Sequence, residues 1–244
     1  MKTAELRALW MLAFGDSEQA VDSFFSTAYD PDRCQYLEED GRIAAALYWL
    51  DGECAGRKYA YIYGVATHPD HRGKGLCRKL MALTHEALHQ QGYAGALLMP
   101  AEPGLRRMYA SFGYRECSAI REFACTAGEE SALFHPVSLS AYAALRREFL
   151  PRGGLIQEGE NLRYLTTYAQ LYAGEDFLLT AVHETDRLFG MELLGNADRA
   201  AGILKAMGYA EGTFRTPGEE IPFSMYYPLE PDALMPTYLG LAFD

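Results

Sequence analysis

The residues with the clearest chemical potential are His68-Pro69-Asp70-His71-Arg72-Gly73-Lys74-Gly75. They lie between a Tyr- and β-branched-rich run at 59–67 and a helix-like stretch at 75–91. A helix start leaves its first N–H groups without intrahelical acceptors, and its dipole adds positive potential there. Glycines at 73 and 75 let an anion approach the backbone, and Arg72, Lys74 and Arg78 add formal charge. This composition suits a phosphate-type anion held at the start of a helix.

Two familiar phosphate turns do not match. A P-loop needs GxxxxGK followed by Ser or Thr, but Gly73-Lys74 is followed by Gly75 and the leading position is His68. A dinucleotide fingerprint needs GxGxxG, but Leu76, Cys77 and Arg78 follow Gly75. A third motif, His85-Glu86-Ala87-Leu88-His89, is a formal HExxH of zinc proteases. At about 100° per residue, Leu76, Leu80, Leu83 and Ala87 share one face and His85, His89 and Arg78 fall opposite. The histidines are therefore expected on the solvated face, and His68, His71, His135 and His183 show no ligand spacing. No metal site is expected.

The elements that must position the turn read as follows. Helices are predicted over 3–14 and from a cap at Asp16 or Ser17 to Tyr29. Strands follow at 34–38, 42–51 and 59–67, with a hairpin turn at Glu39-Asp40-Gly41. After the 75–91 helix come a strand at 93–99, a helix at 103–112 and strands at 115–119 and 122–127. An antiparallel start with a central βαβ unit gives a mixed α/β sheet with helices on both faces. The boundary is placed at 127/128. Beyond it, helices are predicted at 139–149, 161–172 and 197–207, and strands at 176–183, 188–194, 224–227 and 238–243. Met108–Tyr114 and Ile203–Tyr209 both end a short helix in Gly-Tyr, which suggests a duplicated lobe.

Arg72-Gly73-Lys74-Gly75-Leu76-Cys77 resembles the R/Q-x-x-G-x-G/A turn of the GNAT acetyltransferase superfamily, with Cys77 where Gly or Ala is usual. Gly64-Val-Ala-Thr-His-Pro-Asp-His before it and Met108-Tyr109-Ala-Ser-Phe-Gly113-Tyr114 after it also resemble the family. The resemblance implies a GNAT domain over 1–127 and a degenerate GNAT-like lobe over 128–244, distantly similar to bacterial Eis-type acetyltransferases. It implies acetyl-CoA as co-substrate, with its pyrophosphate on Arg72, Gly73, Lys74, Gly75, Leu76 and Cys77. Val65, Ala66 and Thr67 would pair with the pantetheine arm, and an amide near Val65 would polarise the thioester carbonyl. Tyr109 would be the general acid. Glu102 is a candidate base, or simply a helix N-terminal charge. In the Eis-type proteins the terminal carboxylate reaches the active site, which nominates Asp244. Tyr48, Trp49, Tyr61 and Tyr63 divide between the acceptor pocket and the core, since alternate strand residues face opposite ways. A non-catalytic acyl-CoA-binding module is the alternative reading.

Composition bounds the partners. The chain of 244 residues has a formal net charge of −11, with 14 basic and 16 acidic residues in 1–128 and 8 basic and 17 acidic in the remainder. That field disfavours nucleic acid. An acidic second half serves solubility or draws a cationic amine acceptor. Five cysteines without a CxxC pair, no signal-peptide pattern and no apolar run near the ~18 residues of a membrane span fit a reducing cytoplasm and no membrane partner. The acceptor, a small amine or a peptide amine, is left open, as is homo-oligomerisation.

Overall fold

A computed structural model describes residues 2–243 of the chain. It contains two compact units: residues up to Arg115 with Met225–Met235, and Glu116–Ser224 with the segment from Pro236 onward.

The first unit runs α1 (Lys2–Phe14), α2 (Glu18–Thr27), β1 (Cys34–Glu39), β2 (Arg42–Cys54), β3 (Arg57–Thr67), α3 (Leu76–Gln90), β4 (Gly95–Leu98) and α4 (Pro103–Ala110). Ser17 caps α2, its Oγ accepting the Ala20 N–H at 3.2 Å. β1, β2 and β3 form an antiparallel meander. β3 is parallel to β4 through the α3 crossover, and Met225–Pro228 runs antiparallel to β4 on its far side. β2 is buried almost end to end, because both faces of the sheet are covered. Leu47, Trp49, Ala60 and Ile62 pack with Leu76, Leu80 and Met81 of α3, whereas Tyr48 meets Trp10 of α1 at 5.2 Å.

The second unit runs β5 (Arg115–Thr126), β6 (Phe134–Pro136), α5 (Leu139–Phe149), β7 (Ile156–Gln157), α6 (Glu160–Leu165), β8 (Gln170–Gly174), β9 (Phe177–His183), β10 (Leu188–Gly195), α7 (Ala200–Met207), β11 (Glu211–Pro217) and the first half of β12 (Ile221–Pro228), which passes to the first unit at Met225. Its sheet order is β5-β11-β10-β9-β8-β6. Within this order β10 and β11, joined through α7, pair in parallel, and the other pairings are antiparallel. Phe177, Leu179, Leu193, Ile203, Leu204 and Phe214 form its core. α5 buries Tyr142 and Arg146. The Arg146 guanidinium is bidentate on Glu192, with Nε and Nη2 both at 2.8 Å, and Nη1 donates to the Leu155 carbonyl at 3.1 Å. Tyr142 donates to Glu192 at 3.1 Å.

Several expectations need correction. The units do not divide at 127: β5 belongs mainly to the second, while 225–235 returns to the first because Met225–Pro228 finds its ladder on β4. The strands expected at 115–119 and 122–127 are one continuous β5, paired with β11 along Ile120–Thr126. The helix expected over 161–172 stops at Leu165, and 170–174 is β8. The strand expected over 238–243 is a buried tail, bound mainly by isolated contacts. These include Leu155 N–H to the Tyr238 carbonyl at 2.8 Å and Gln157 Nε2 to the Leu241 carbonyl at 2.7 Å. On α3 the buried face is Leu76, Leu80, Met81, Thr84, His85 and Leu88, and Leu83 is 42% exposed. Far from being solvated, His85 contacts the Tyr114 hydroxyl through Nε2 at 2.9 Å and stacks on Tyr227 with ring centroids 3.9 Å apart.

Candidate active site

β3 carries the first part of the site. It pairs with β4 only at Tyr59, Ala60 and Tyr61, opposite Gly95, Ala96 and Leu97. The β3–β4 ladder ends there among the described residues, while the other edge stays on β2 as far as Ala45–Thr67. Between the pairs Tyr48–Tyr63 and Ala46–Ala66, β3 holds one more residue than β2, which is a β-bulge. Gly64 lies in it with φ +61°, and a β-carbon there would sit 3.0 Å from both the Trp10 indole and the Tyr48 ring. Only glycine fits this left-handed, doubly walled position. The bulge and the parting from β4 leave Val65, Ala66 and Thr67 as a partly unpaired edge leading into the turn.

The turn folds as its sequence demands. His68 Nδ1 accepts the Asp70 N–H at 3.3 Å, and a 3-10 turn covers Pro69–His71. Gly73 and Gly75 take φ +74° and +78°, and an added β-carbon at either would meet nothing within 4 Å. Gly75 caps α3 without a side chain, and among the described residues no backbone carbonyl accepts from the N–H groups of Leu76, Cys77 and Arg78. Free donors, open space and the helix dipole make a cradle for a phosphate-sized anion. Arg72 Nε donates to the Thr67 carbonyl at 3.3 Å, tying the turn to the strand end. Lys74 Nζ lies 3.4 Å from His71 Nδ1. Arg78 points elsewhere: it binds the Ser111 carbonyl and hydroxyl, each at 2.9 Å, and covers Phe112. It therefore joins the start of α3 to the end of α4.

Tyr109, on α4, is 6% exposed and belongs to the cluster that contains Leu76 and is flanked by Val65 and Cys77. Burial, and then the nearby Cys77, hold its phenol well above the ordinary value, so it stays protonated. The structure thus gathers Val65, Leu76, Cys77 and Tyr109. Glu102 is exposed at the N-cap of α4 and makes no capping bond with its side chain. Asp244 lies outside the described residues. Tyr48 is a core residue whose buried hydroxyl has no hydrogen-bond partner among the described residues, whereas Tyr63 is half-buried beside the bulge. The sequence reading included Gly64 in the resemblance but gave it no role, and it did not single out Trp10. An isolated glycine within a β-rich run was the available signal for the bulge. No cluster of three or more metal-ligating side chains occurs among the described residues.

No curated protein sequence matches the chain. Residues 2–117 match the family model of an acetyltransferase (GNAT) domain. The fold is similar to a GCN5-related N-acetyltransferase from Anabaena variabilis: TM-score 0.74, 15% identity, 94% of this chain and 71% of that one. It is also similar to Eis1 from Mycobacterium abscessus: TM-score 0.68, 11% identity, 94% and 72%. A tandem GNAT protein from the clavulanic acid biosynthesis pathway aligns over 95% of this chain and 96% of its own length: TM-score 0.54, 12% identity.

Proposed function

We propose, from the match of residues 2–117 to the acetyltransferase (GNAT) domain model, that the protein moves an acetyl group from acetyl-CoA to an amine acceptor in a ternary complex. The observation that carries this reading is the parting of β3 from β4 at the Gly64 bulge, which leads straight into a glycine turn with free N–H groups. Acetyl-CoA supplies an activated acyl thioester. The N–H groups of Gly73, Gly75, Leu76 and Cys77, with Arg72 and Lys74, hold its pyrophosphate. The backbone of Val65, Ala66 and Thr67 accepts the pantetheine arm as an added strand would lie. The Val65 amide faces the carbonyl and steadies the negative charge that grows on its oxygen.

Tyr109 gives its proton to the sulfur as the carbon–sulfur bond breaks and the nitrogen–carbon bond forms. Its raised phenol keeps that proton available across the neutral range. The amine's proton passes to a base, for which Glu102 is the nominee on the first lobe. The acceptor class is a small amine or a peptide amine. The second lobe has no Arg-x-x-Gly-x-Gly turn and takes no CoA in this reading. Its place of work is the cytoplasm, a reading supported by sequence composition. No helix among the described residues is long and apolar enough to cross a membrane.

Thiol release from acetyl-CoA, measured across polyamines, aminoglycosides and peptides, tests the proposal. Acceptor-dependent release supports it. Tight CoA binding with no release for any amine identifies a non-catalytic acyl-CoA-binding module instead.

A further inference from the structure

The bulge that aims Val65 is not self-supporting. Gly64 has no side chain to lock its conformation, and glycine moves readily between positive and negative φ. What fixes it is outside its own strand. The far edge of the Trp10 indole, Cζ3 and Cη2, stands 3.0 and 3.2 Å from where a β-carbon of residue 64 would lie, and Tyr48 Cδ2 stands at 3.0 Å. Trp10 is itself held. Its Nε1–H donates to Asp16 Oδ2 at 2.7 Å. Its ring packs on Phe24 at 4.7 Å, Tyr48 at 5.2 Å and Tyr63 at 5.4 Å. Trp10 is 3% exposed and Phe24 is 1% exposed, so this wall has no room to yield.

We infer that Trp10, locked by Asp16, is a positioning residue for acyl transfer: it braces Gly64 so that the Val65 amide points along the unpaired edge of β3. The inference rests on the proposed role of the Val65 amide at the thioester carbonyl. Trp10 touches no reacting group and acts only through the bulge. A relaxed bulge displaces one donor by a fraction of a residue spacing. Misplacement of about 1 Å at a reacting centre costs up to roughly a hundredfold in rate. The pyrophosphate cradle, eight and more residues further along the chain, is unaffected.

The predicted signature is therefore a split. Trp10→Leu lowers kcat at least about tenfold while KM for acetyl-CoA stays within about twofold. Asp16→Ala, a surface change that keeps the ring, frees the indole and gives a smaller loss in kcat. Asp16→Asn retains an acceptor for Nε1–H and restores the rate. If Trp10→Leu does not fold, the Asp16 pair still decides the matter. The second readout needs no turnover. In amide-resolved NMR of the whole chain, the Val65 resonance shifts more on adding acetyl-CoA than on adding CoA, and that difference disappears in Trp10→Leu or shrinks in Asp16→Ala. An unchanged kcat together with a preserved Val65 difference in these variants overturns the inference and leaves the proposed function standing. A wild-type Val65 that does not distinguish acetyl-CoA from CoA overturns the underlying reading and this inference with it.

Discussion

In the first lobe β3 runs beside β4 for three residues, Tyr59–Tyr61 against Gly95–Leu97, and then leaves it. In the second, β10 runs beside β11 for three residues, Leu188–Gly190 against Gly212–Phe214, and then leaves it. Each departing strand carries one extra residue opposite its antiparallel neighbour, near Gly64 in β3 and at Met191 in β10. Each crossover helix ends in Gly-Tyr-Ala. Gly92 and Gly208 take φ +77° and +80°, and the next tyrosine N–H returns to Leu88 or Leu204 at 3.0 Å. The sequence echo between the lobes is therefore better matched to the end of α3 than to Met108–Tyr114.

The lobes differ at the start of that helix. The first presents Gly73-Lys74-Gly75 ahead of Leu76, Cys77 and Arg78, and no backbone carbonyl among the described residues accepts from their N–H groups. The second begins at Asn196-Ala197-Asp198-Arg199 and satisfies itself. Asn196 Oδ1 accepts the Asp198 N–H at 3.1 Å, and Asp176 accepts from Asn196 Nδ2 at 2.8 Å and Arg199 Nε at 3.0 Å. One carboxylate of its own, Asp176, lies beside this helix start on the Asn196 and Arg199 side chains. From β11 the chain turns directly into β12, so no helix carries a counterpart of Tyr109. One scaffold serves twice, and a few turn residues decide whether it offers donors to a ligand or consumes them.

The contrast can be broken at several points. The largest effect is expected from Tyr109→Phe, which removes the proposed acid from the first lobe. Turnover falls by roughly 10²–10⁴-fold with acetyl-CoA affinity retained. Steady-state thiol release checks it, and unchanged kcat rejects the role. In the second lobe the comparable weak point is structural. Arg146→Ala leaves Glu192 buried and unpaired, costing about 3–5 kcal/mol of stability in urea unfolding.

The legibility of the sequence followed the range of the interactions involved. The turn could be read because all its determinants, Arg72 to Cys77, are contiguous. The burial of His85 could not, because its partners Tyr114 and Tyr227 lie 29 and 142 positions away. The return of Met225–Pro228 to β4 was hidden for the same reason. The tail at 238–243 has the apolar composition of a strand. Its carbonyls go to Leu155 and the Gln157 side chain, and Gly240 lies flush against Glu192, which no local pattern reveals.

His85 provides the next effect. Burial lowers its imidazole to about 4, so the native state favours the neutral ring. Above the unfolded value of 6.5 this stabilisation is complete. As pH falls from 6.5 toward 4 the unfolded chain takes up the proton first, and stability drops by about 3 kcal/mol. Chemical unfolding across that window shows this slope in the wild type, and His85→Phe flattens it. A wild-type curve that is already flat contradicts the buried, neutral assignment. The smallest effect is expected from Asp176→Asn, which loosens an exposed pair in the second lobe. It changes Tm less than the other substitutions and creates no CoA binding, which calorimetry can verify.

The central claim is that the first lobe alone presents a usable anion cradle. Isothermal titration of the full chain with CoA tests it most directly, beside Gly75→Asp, which puts a β-carbon and a carboxylate where φ is +78° and the N–H groups are free. The account predicts one CoA per chain in the wild type and an affinity at least about a hundredfold weaker in the variant, about 3 kcal/mol. Two CoA molecules per wild-type chain, or undiminished binding in Gly75→Asp, would contradict it.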